Sequence, residues 1–388
     1  MSGAPVYLDY AATTPVAPEV AGRMMECLTM EGDFGNPGSG THDYGERAAR
    51  RVQEARSQVA GCVGAQPSEI VWTSGATEAD NLAILGATHY YRTSGNHVVT
   101  SRTEHKAVLD SCRELERRGW RISYLEPDRG GSIDPAQVAA ALEPGTVLVS
   151  VMHVNNELGV IQDIAAIGRV CTRAGVRLHV DAAQSVGKCP LDFASLGVDY
   201  LSLSAHKVYG PKGVGALVVS QRRGAQLAPL QFGGGQERSW RPGTLATHQA
   251  VGMGAAFALA QAEPDAERER IRGLRDRLWQ GLRDLGGVLR NGDPARTVPH
   301  VLNVSFEGVE GESLVLGVRE RIAVSTGSAC TSADREPSYV LRALGRDDRL
   351  AESSLRFCIG RYTSEADIET AVDAVKQAVR RLRRISGA

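Results

Sequence analysis

The pattern of apolar and polar positions predicts alternating helices and strands over the first two thirds of the chain. Residues 46–63 place valines and alanines near one helical face, and the apolar run 70–73 then predicts a strand. Further strands are predicted at 97–101, 121–125, 146–152, 177–181, 200–204 and 214–220. Helices are predicted near 77–91, 106–118, 134–142 and 163–174. This alternation predicts an α/β domain with a mainly parallel sheet covered by helices.

The pattern changes after residue 262, where an apolar helix predicted near 247–262 is followed by the charged segment 263–272. Beyond it, strands are predicted near 301–306 and 354–359, and helices near 312–320, 337–344 and 364–384. Because a chain of 388 residues exceeds the usual size of one hydrophobic core, two domains are expected. We predict a large domain over 16–262 and a smaller α+β domain formed by 1–15 and 263–388.

Composition narrows the functional classes. With 42% apolar residues, 23% charged residues and a formal net charge of −1, the chain has no bulk electrostatic reason to bind nucleic acid or a membrane. Neither a secretory signal nor an uninterrupted apolar run of about 18 residues is present, which predicts a cytoplasmic protein. The seven cysteines are odd in number and lack a C-x-x-C pair, so they indicate neither a disulfide framework nor a zinc site.

Polar residues follow one predicted strand after another. They are Ser74 to Glu78, Glu104 with His105, Asn155 to Glu157, Asp181 to Gln184, and Ser204 to Lys207. Any one group has an ordinary structural explanation, such as a helix cap or a solvent-exposed side chain. Because open α/β sheets bind ligands outside the carboxyl ends of their strands, five such groups in chain order predict one shared site.

These residue types meet the requirements of pyridoxal phosphate. The cofactor needs a lysine for an imine, an acidic group at the ring nitrogen, and backbone N–H groups with hydroxyls around its phosphate. Lys207 and Asp181 can supply the first two. The small-residue turn from Ser74 to Thr77, with Ser204 and His206, can supply the third.

The same residues belong to longer motifs. These are Tyr7-Leu-Asp-Tyr-Ala-Ala-Thr-Thr-Pro15, Phe34-Gly-Asn-Pro37, Thr73-Ser-Gly-Ala-Thr-Glu78, Thr103-Glu-His-Lys-Ala-Val108, His153-Val-Asn-Asn-Glu157, His179-Val-Asp-Ala-Ala-Gln184, Ser204-Ala-His-Lys207, Gly243-Thr-Leu245, Ser328-Ala-Cys-Thr-Ser332 and Leu355-Arg-Phe357. With them, nearly the whole chain resembles the cysteine desulfurases of the bacterial housekeeping, IscS-like type. The resemblance implies the pyridoxal-phosphate-dependent transferase fold of type I, the aspartate-aminotransferase fold.

The resemblance also implies a role for each site residue. Lys207 would carry the cofactor as a Schiff base and act as catalytic base, and His105 would stack on the ring and relay protons. Asp181 would contact the ring nitrogen, whereas Arg356 and Asn156 would bind the substrate carboxylate. The remaining cofactor contacts would come from Gln184 and Asn156 near the phenolic oxygen, and from Ala76, Thr77, Ser204, His206 and a second subunit's Thr244 at the phosphate. A homodimer is therefore implied.

Cys330 is the predicted sulfur acceptor. Its neighbours, residues 325–333, include almost no large side chain, and the resemblance makes this cysteine the site of a persulfide. The implied reaction converts L-cysteine to L-alanine. The sulfur would pass to acceptor proteins for iron–sulfur cluster assembly, transfer-RNA or cofactor thiolation, or DNA phosphorothioation. No resident metal is expected, and any iron–sulfur cluster transfer would involve Cys330 alone.

Several features depart from the family pattern. The chain ends at Ala388, where close members carry an extension that docks the iron–sulfur scaffold protein, so scaffold docking is an open question. Gly40, Ala205 and Pro242 also differ from the residues usual at their positions, but none replaces a catalytic group.

Two other interpretations remain open from the sequence. An aminotransferase or a selenocysteine-specific lyase would share the fold and Lys207, and Cys330 distinguishes them from a desulfurase. A nucleotide-binding or scaffolding protein would have to use the glycine-rich loops 210–215 or 233–235. Neither loop matches G-x-x-x-x-G-K-[ST] or a G-x-G-x-x-G that opens a helix.

Overall fold

A seven-stranded sheet forms the centre of the larger part of the molecule. The structure is a computed structural model that describes residues 4–262, 265–326 and 336–387. The strand order across this sheet is β2 (Ile70–Thr73), β8 (Gly215–Val219), β7 (Tyr200–Ser204), β6 (Arg177–Asp181), β5 (Thr146–Ser150), β3 (His97–Ser101) and β4 (Arg121–Leu125). β8 runs antiparallel to both of its neighbours, and the other paired strands are parallel. The mainly parallel sheet predicted from the sequence is thus confirmed.

Helices cover both faces of this sheet. They are α1 (Pro18–Met25), α2 (Asp43–Val63), α3 (Ala76–Tyr90), α4 (Lys106–Arg117), α5 (Pro135–Ala141), α6 (Ile164–Ala174) and α7 (Thr247–Ala262), with 3₁₀ turns at Pro67–Glu69 and Gln236–Ser239. One apolar cluster includes Val59 of α2 and Phe257 of α7. Another includes Leu82 of α3 and Val108 of α4. All five residues of β3 and all five residues of β7 are buried, so both faces of these central strands are covered.

The smaller part of the molecule is built on a three-stranded antiparallel sheet. Its strand order is β12 (Ser354–Cys358), β10 (Val301–Phe306) and β9 (Val288–Asn291), and β1 (Val6–Tyr7) pairs in parallel with β11 (Ile322–Ala323). Its helices are α8 (Asp265–Arg283), α9 (Gly311–Val318), α10 (Tyr339–Ala343), α11 (Asp348–Glu352) and α12 (Glu365–Ser386), with a 3₁₀ turn at Pro294–Arg296. One apolar cluster joins Leu8 to Leu278 and Phe357. This cluster supports our proposed division of the chain near residue 263.

The charged segment 263–272 is more than a boundary, because residues from 265 onward begin the long helix α8. Ile271, Leu274, Leu278 and Leu282 of this helix recur every three or four residues and face the small core. The first turns are so rich in charge that this stripe is hard to recognise in the sequence. Among the described helices, none is both long and apolar enough to cross a membrane.

Candidate active site

The turn between β2 and α3 forms one wall of a cavity at the carboxyl ends of the parallel strands. α3 begins at Ala76 without a side-chain cap on its first N–H groups. A Cβ atom on Gly215 of β8 would lie 2.7 Å from the Cα atom of Gly75, so this close approach requires glycine. The first-turn N–H groups and the positive end of the helix dipole are therefore available to an anion.

The end of β7 forms the floor of the cavity. Ser204 is 3% exposed, and its Oγ atom has no hydrogen-bond partner among the described residues. Burial, followed by the charges of Lys207 and two other lysines, lowers the pKa of His206 to about 4, so its imidazole is neutral near pH 7. Its Nδ1 atom lies 3.2 Å from Thr13 Oγ1. Lys207 follows at once and also lines the cavity.

Asp181, at the end of β6, lies above a buried polar layer. Its Oδ1 atom accepts a hydrogen bond from the N–H of Ala183 at 2.9 Å. Asp80 of α3 is fully buried, and its Oδ1 atom lies 3.4 Å from Nε2 of His179. Burial raises the pKa of Asp80 well above its ordinary value, and the charge of Asp181 adds to that rise. The Asp80 carboxyl is therefore neutral and adds no negative charge beside Asp181.

His105 caps the N-terminus of α4 and lines the cavity from the opposite side. Its Nδ1 atom accepts a hydrogen bond from the N–H of Ala107 at 3.1 Å. Burial and the nearby Lys207 charge lower the pKa of His105. The neutral ring therefore carries its proton on Nε2, because Nδ1 is used as an acceptor.

Arg356 of β12 brings the smaller part of the molecule into the site. Its Nη1 atom donates to the backbone carbonyl of Asn156 at 2.9 Å, and Nη2 donates to Oδ1 of Asp9 at 2.8 Å. The side chain is 4% exposed, and its Nε atom has no partner among the described residues. Oδ1 of Asn156 is likewise buried and without a partner there. The protein thus holds both Nη atoms of Arg356. The Nε donor of Arg356 and the Oδ1 acceptor of Asn156 remain for a ligand.

The cavity has a volume of about 550 Å³ and brings together most of the predicted site residues. Those that line it are Ala76, Thr77, His105, Asn156, Asp181, Ser204, His206, Lys207 and Arg356. Its lysine, carboxylate, helix N-terminus and unpartnered Ser204 hydroxyl match the imine, ring nitrogen and phosphate of pyridoxal phosphate, so the residues fit this cofactor.

Two of the predicted residues that the structure describes do not line the cavity. Gln184 is buried, and its Nε2 atom donates to the carbonyl of the cavity residue Ala11 at 2.8 Å while its Oε1 atom accepts from Lys188. Thr244 is exposed on the segment before α7, and its predicted role concerns a second subunit. Cys330 lies outside the described residues.

The sequence reasoning assigned no individual role to several residues that the structure places in or beside the cavity. Glu78 and Asp80 line it from α3, and Asp9 reaches Arg356 from the other end of the chain. Asp9 belongs to the motif that starts at Tyr7, and this motif was the sequence signal that could have identified it as a site residue. Within the described ranges, no group of three histidine, cysteine, aspartate or glutamate side chains is placed to hold a metal ion.

Comparisons with known proteins agree with this geometry. The family model described as aminotransferase class-V matches residues 6–370. The chain is 56% identical to cysteine desulfurase IscS of Pectobacterium atrosepticum over 382 residues, which cover 98% of this chain and 94% of that protein. A solved NifS-like protein superposes with a TM-score of 0.89 at 33% identity, covering 96% of this chain and 98% of that one. The structure of SspA in complex with cysteine gives 0.81 at 38% identity, with 92% and 100% coverage.

Proposed function

Because this chain belongs to the aminotransferase class-V family and is a pyridoxal-phosphate-dependent cysteine desulfurase, we propose that the cavity between Lys207 and Arg356 is where it removes sulfur from L-cysteine. The observation that carries this assignment is the convergence of residues from β6, β7, α3, α4 and β12 on one cavity. When bound, the cofactor supplies an electron sink next to the α-carbon of the amino acid.

The N-terminus of α3 would hold the cofactor phosphate. The N–H groups of Ala76 and Thr77, the hydroxyls of Thr77 and Ser204, and the imidazole of His206 would donate to it. Asp181 would pair with the protonated ring nitrogen, and the N–H of Ala183 orients its carboxylate. The raised pKa of the buried Asp80 carboxyl keeps that group neutral, so the negative charge would not be divided between two sites.

Lys207 and His105 line the same cavity and would handle protons next to the cofactor. Lys207 would hold the cofactor covalently, and its amine would act as the base that removes the α-proton of the substrate. His105 is neutral and carries its proton on Nε2, so it can stack on the ring and donate from that atom. Gln184, held by Ala11 and Lys188, would lie near the phenolic oxygen.

Arg356 and Asn156 select the amino-acid substrate. The Nε atom of Arg356 has no protein partner, whereas its Nη atoms are fixed by Asp9 and by the Asn156 carbonyl. A carboxylate approaching Nε would therefore meet a donor whose direction is already set, at little cost in side-chain entropy.

The thiolate of Cys330 would attack the substrate sulfur and keep it as a persulfide. The Cβ–S bond would break with its electron pair left on the carbon skeleton, which takes up a proton and leaves as alanine. This step rests on the family resemblance and on the motif around Cys330. We further propose a cytoplasmic homodimer that uses Thr244 in trans and passes sulfur to acceptor proteins, for example in iron–sulfur cluster assembly. The IscS name of the relatives supports that pathway.

The assignment is tested with purified protein, pyridoxal phosphate and L-cysteine. We expect a visible absorbance band, and alanine and sulfide formed in equal amounts when a reductant is present. Lys207→Ala should lose the band, whereas Lys376→Ala on α12 should keep it. Alanine formation that required a keto acid and released no sulfide would instead identify an aminotransferase.

A further inference from the structure

A strained turn lies beside the phosphate end of the cavity. Glu237, Arg238 and Ser239 have φ angles of 47°, 60° and 62°, in the left-handed region that non-glycine residues seldom occupy. Three such residues in succession persist only where the surroundings hold them in place.

Buried contacts hold this turn against β2. The Glu237 side chain is 3% exposed, and it accepts hydrogen bonds from both terminal nitrogens of Arg56 at 3.0 and 2.6 Å. It also accepts from the backbone N–H of Trp72 at 2.8 Å. The guanidinium of Arg238 lies 4.2 Å from the centre of the Trp240 ring. The turn is therefore fixed to the strand that leads directly into the phosphate-binding turn.

Arg241, two residues after the strained turn, contacts Glu78 beside the predicted phosphate-binding turn. Its Nε atom donates to Oε1 of Glu78 at 2.8 Å, and Glu78 Oε2 accepts from the N–H of Ser74 at 2.6 Å. Burial alone would raise the pKa of Glu78, but the hydrogen bonds from Arg241 and Ser74 outweigh it and lower that pKa. Glu78 is thus an anion in the first turn of α3, and it lines the cavity.

An anion at this position has two opposite effects. A carboxylate in the first turn of a helix stabilises the helix through its dipole. The same carboxylate repels a phosphate dianion that binds to the N–H groups of that turn. An arginine that pairs with the carboxylate removes most of the repulsion and leaves in place the hydrogen bond that the N–H of Ser74 donates to Glu78.

We propose that Arg241, presented by the strained turn 237–239, is a positioning residue that neutralises Glu78 and so permits tight binding of the cofactor phosphate. The inference rests on the proposed pyridoxal-phosphate site. It concerns cofactor affinity and predicts no direct contact between Arg241 and the substrate.

The test measures binding of pyridoxal phosphate and of pyridoxal, which lacks the phosphate, to the apoprotein by absorbance titration. Arg241→Gln should weaken pyridoxal phosphate about tenfold, equivalent to about 1.4 kcal/mol, and leave pyridoxal unchanged. Glu78→Gln should bind pyridoxal phosphate at least as tightly as the wild type. The double variant should return to within about twofold of wild type, because the repelling charge is gone. Arg277→Gln, which breaks exposed pairs with Glu365 and Glu369, is the charge-matched control.

Two results would overturn the inference. One is equal weakening of pyridoxal and pyridoxal phosphate by Arg241→Gln, which would indicate general distortion of the cavity. The other is a double variant that remains as weak as Arg241→Gln, since repulsion by Glu78 would then not be the cause. A wild-type apoprotein that binds neither compound would overturn the proposed cofactor site itself.

Discussion

Replacement of Arg356 by lysine tests how the site recognises the substrate carboxylate. In the structure, Asn156 and Asp9 hold the two Nη atoms, and Nε has no protein partner. A lysine has one nitrogen in place of three, so it can satisfy the Asp9 carboxylate or the substrate but not both with the same geometry. A hydrogen bond to a charged group contributes about 1.5–3 kcal/mol. Loss of one such bond corresponds to a decrease of about 10- to 150-fold in kcat/KM.

The assay is steady-state alanine formation over a range of cysteine concentrations. We expect the decrease to appear mainly in KM, because Arg356 holds the carboxylate throughout the reaction, which leaves kcat little changed. Arg346→Lys is the matched control, since Arg346 is partly buried and its Nε atom donates to Asn291 at 2.8 Å outside the cavity. An Arg356→Lys enzyme with wild-type KM would refute the proposed substrate site.

Two further predictions follow from buried carboxyls. Burial raises the pKa of Glu157 to about 7, although the hydrogen bond from Ser338 and the charge of Arg356 oppose the rise. The folded protein then holds this proton more tightly than the unfolded chain, so the stabilisation is complete below about pH 4.5 and is lost as pH rises through 7. Glu157→Gln should therefore gain about 2.5 kcal/mol in free energy of unfolding relative to wild type between pH 5 and pH 8, measured by urea unfolding. A constant difference over that range would contradict the reasoning. Asp80→Asn should preserve kcat and the visible band, because the carboxyl it replaces is already neutral, whereas Asp181→Asn should lower kcat by about a hundredfold or more. Equal losses in the two variants would show that Asp80 is charged in the working enzyme.

Most of the cavity was predictable because parallel strands end at the same edge of a sheet. Asp181 ends β6 and Ser204 ends β7, so their chain positions alone placed them together with Lys207. His105 follows β3 in the same way. The antiparallel direction of β8 was not recognisable, since a buried apolar strand has the same composition in either direction.

Contacts between distant parts of the chain could not be predicted. Asp9 and Arg356 are separated by 347 positions, and their ion pair depends on how the first strand lies beside β12. Asp80 belongs to the first turns of α3, where a polar residue would usually face solvent, yet it is buried below the cofactor site. Glu78 and Arg241 meet only because the strained turn folds back onto β2.

Direct detection of the persulfide tests the central claim, that sulfur from cysteine passes to Cys330. The holoenzyme is mixed with one equivalent of L-cysteine without reductant, and alanine and the mass of each cysteine peptide are measured. We predict alanine and the mass of one added sulfur atom on the Cys330 peptide. Cys330→Ala should lose both, whereas Cys62→Ala should retain them, because burial raises the pKa of the Cys62 thiol to about 11. Undiminished alanine formation by Cys330→Ala, or sulfur on a different cysteine of the wild type, would contradict the account.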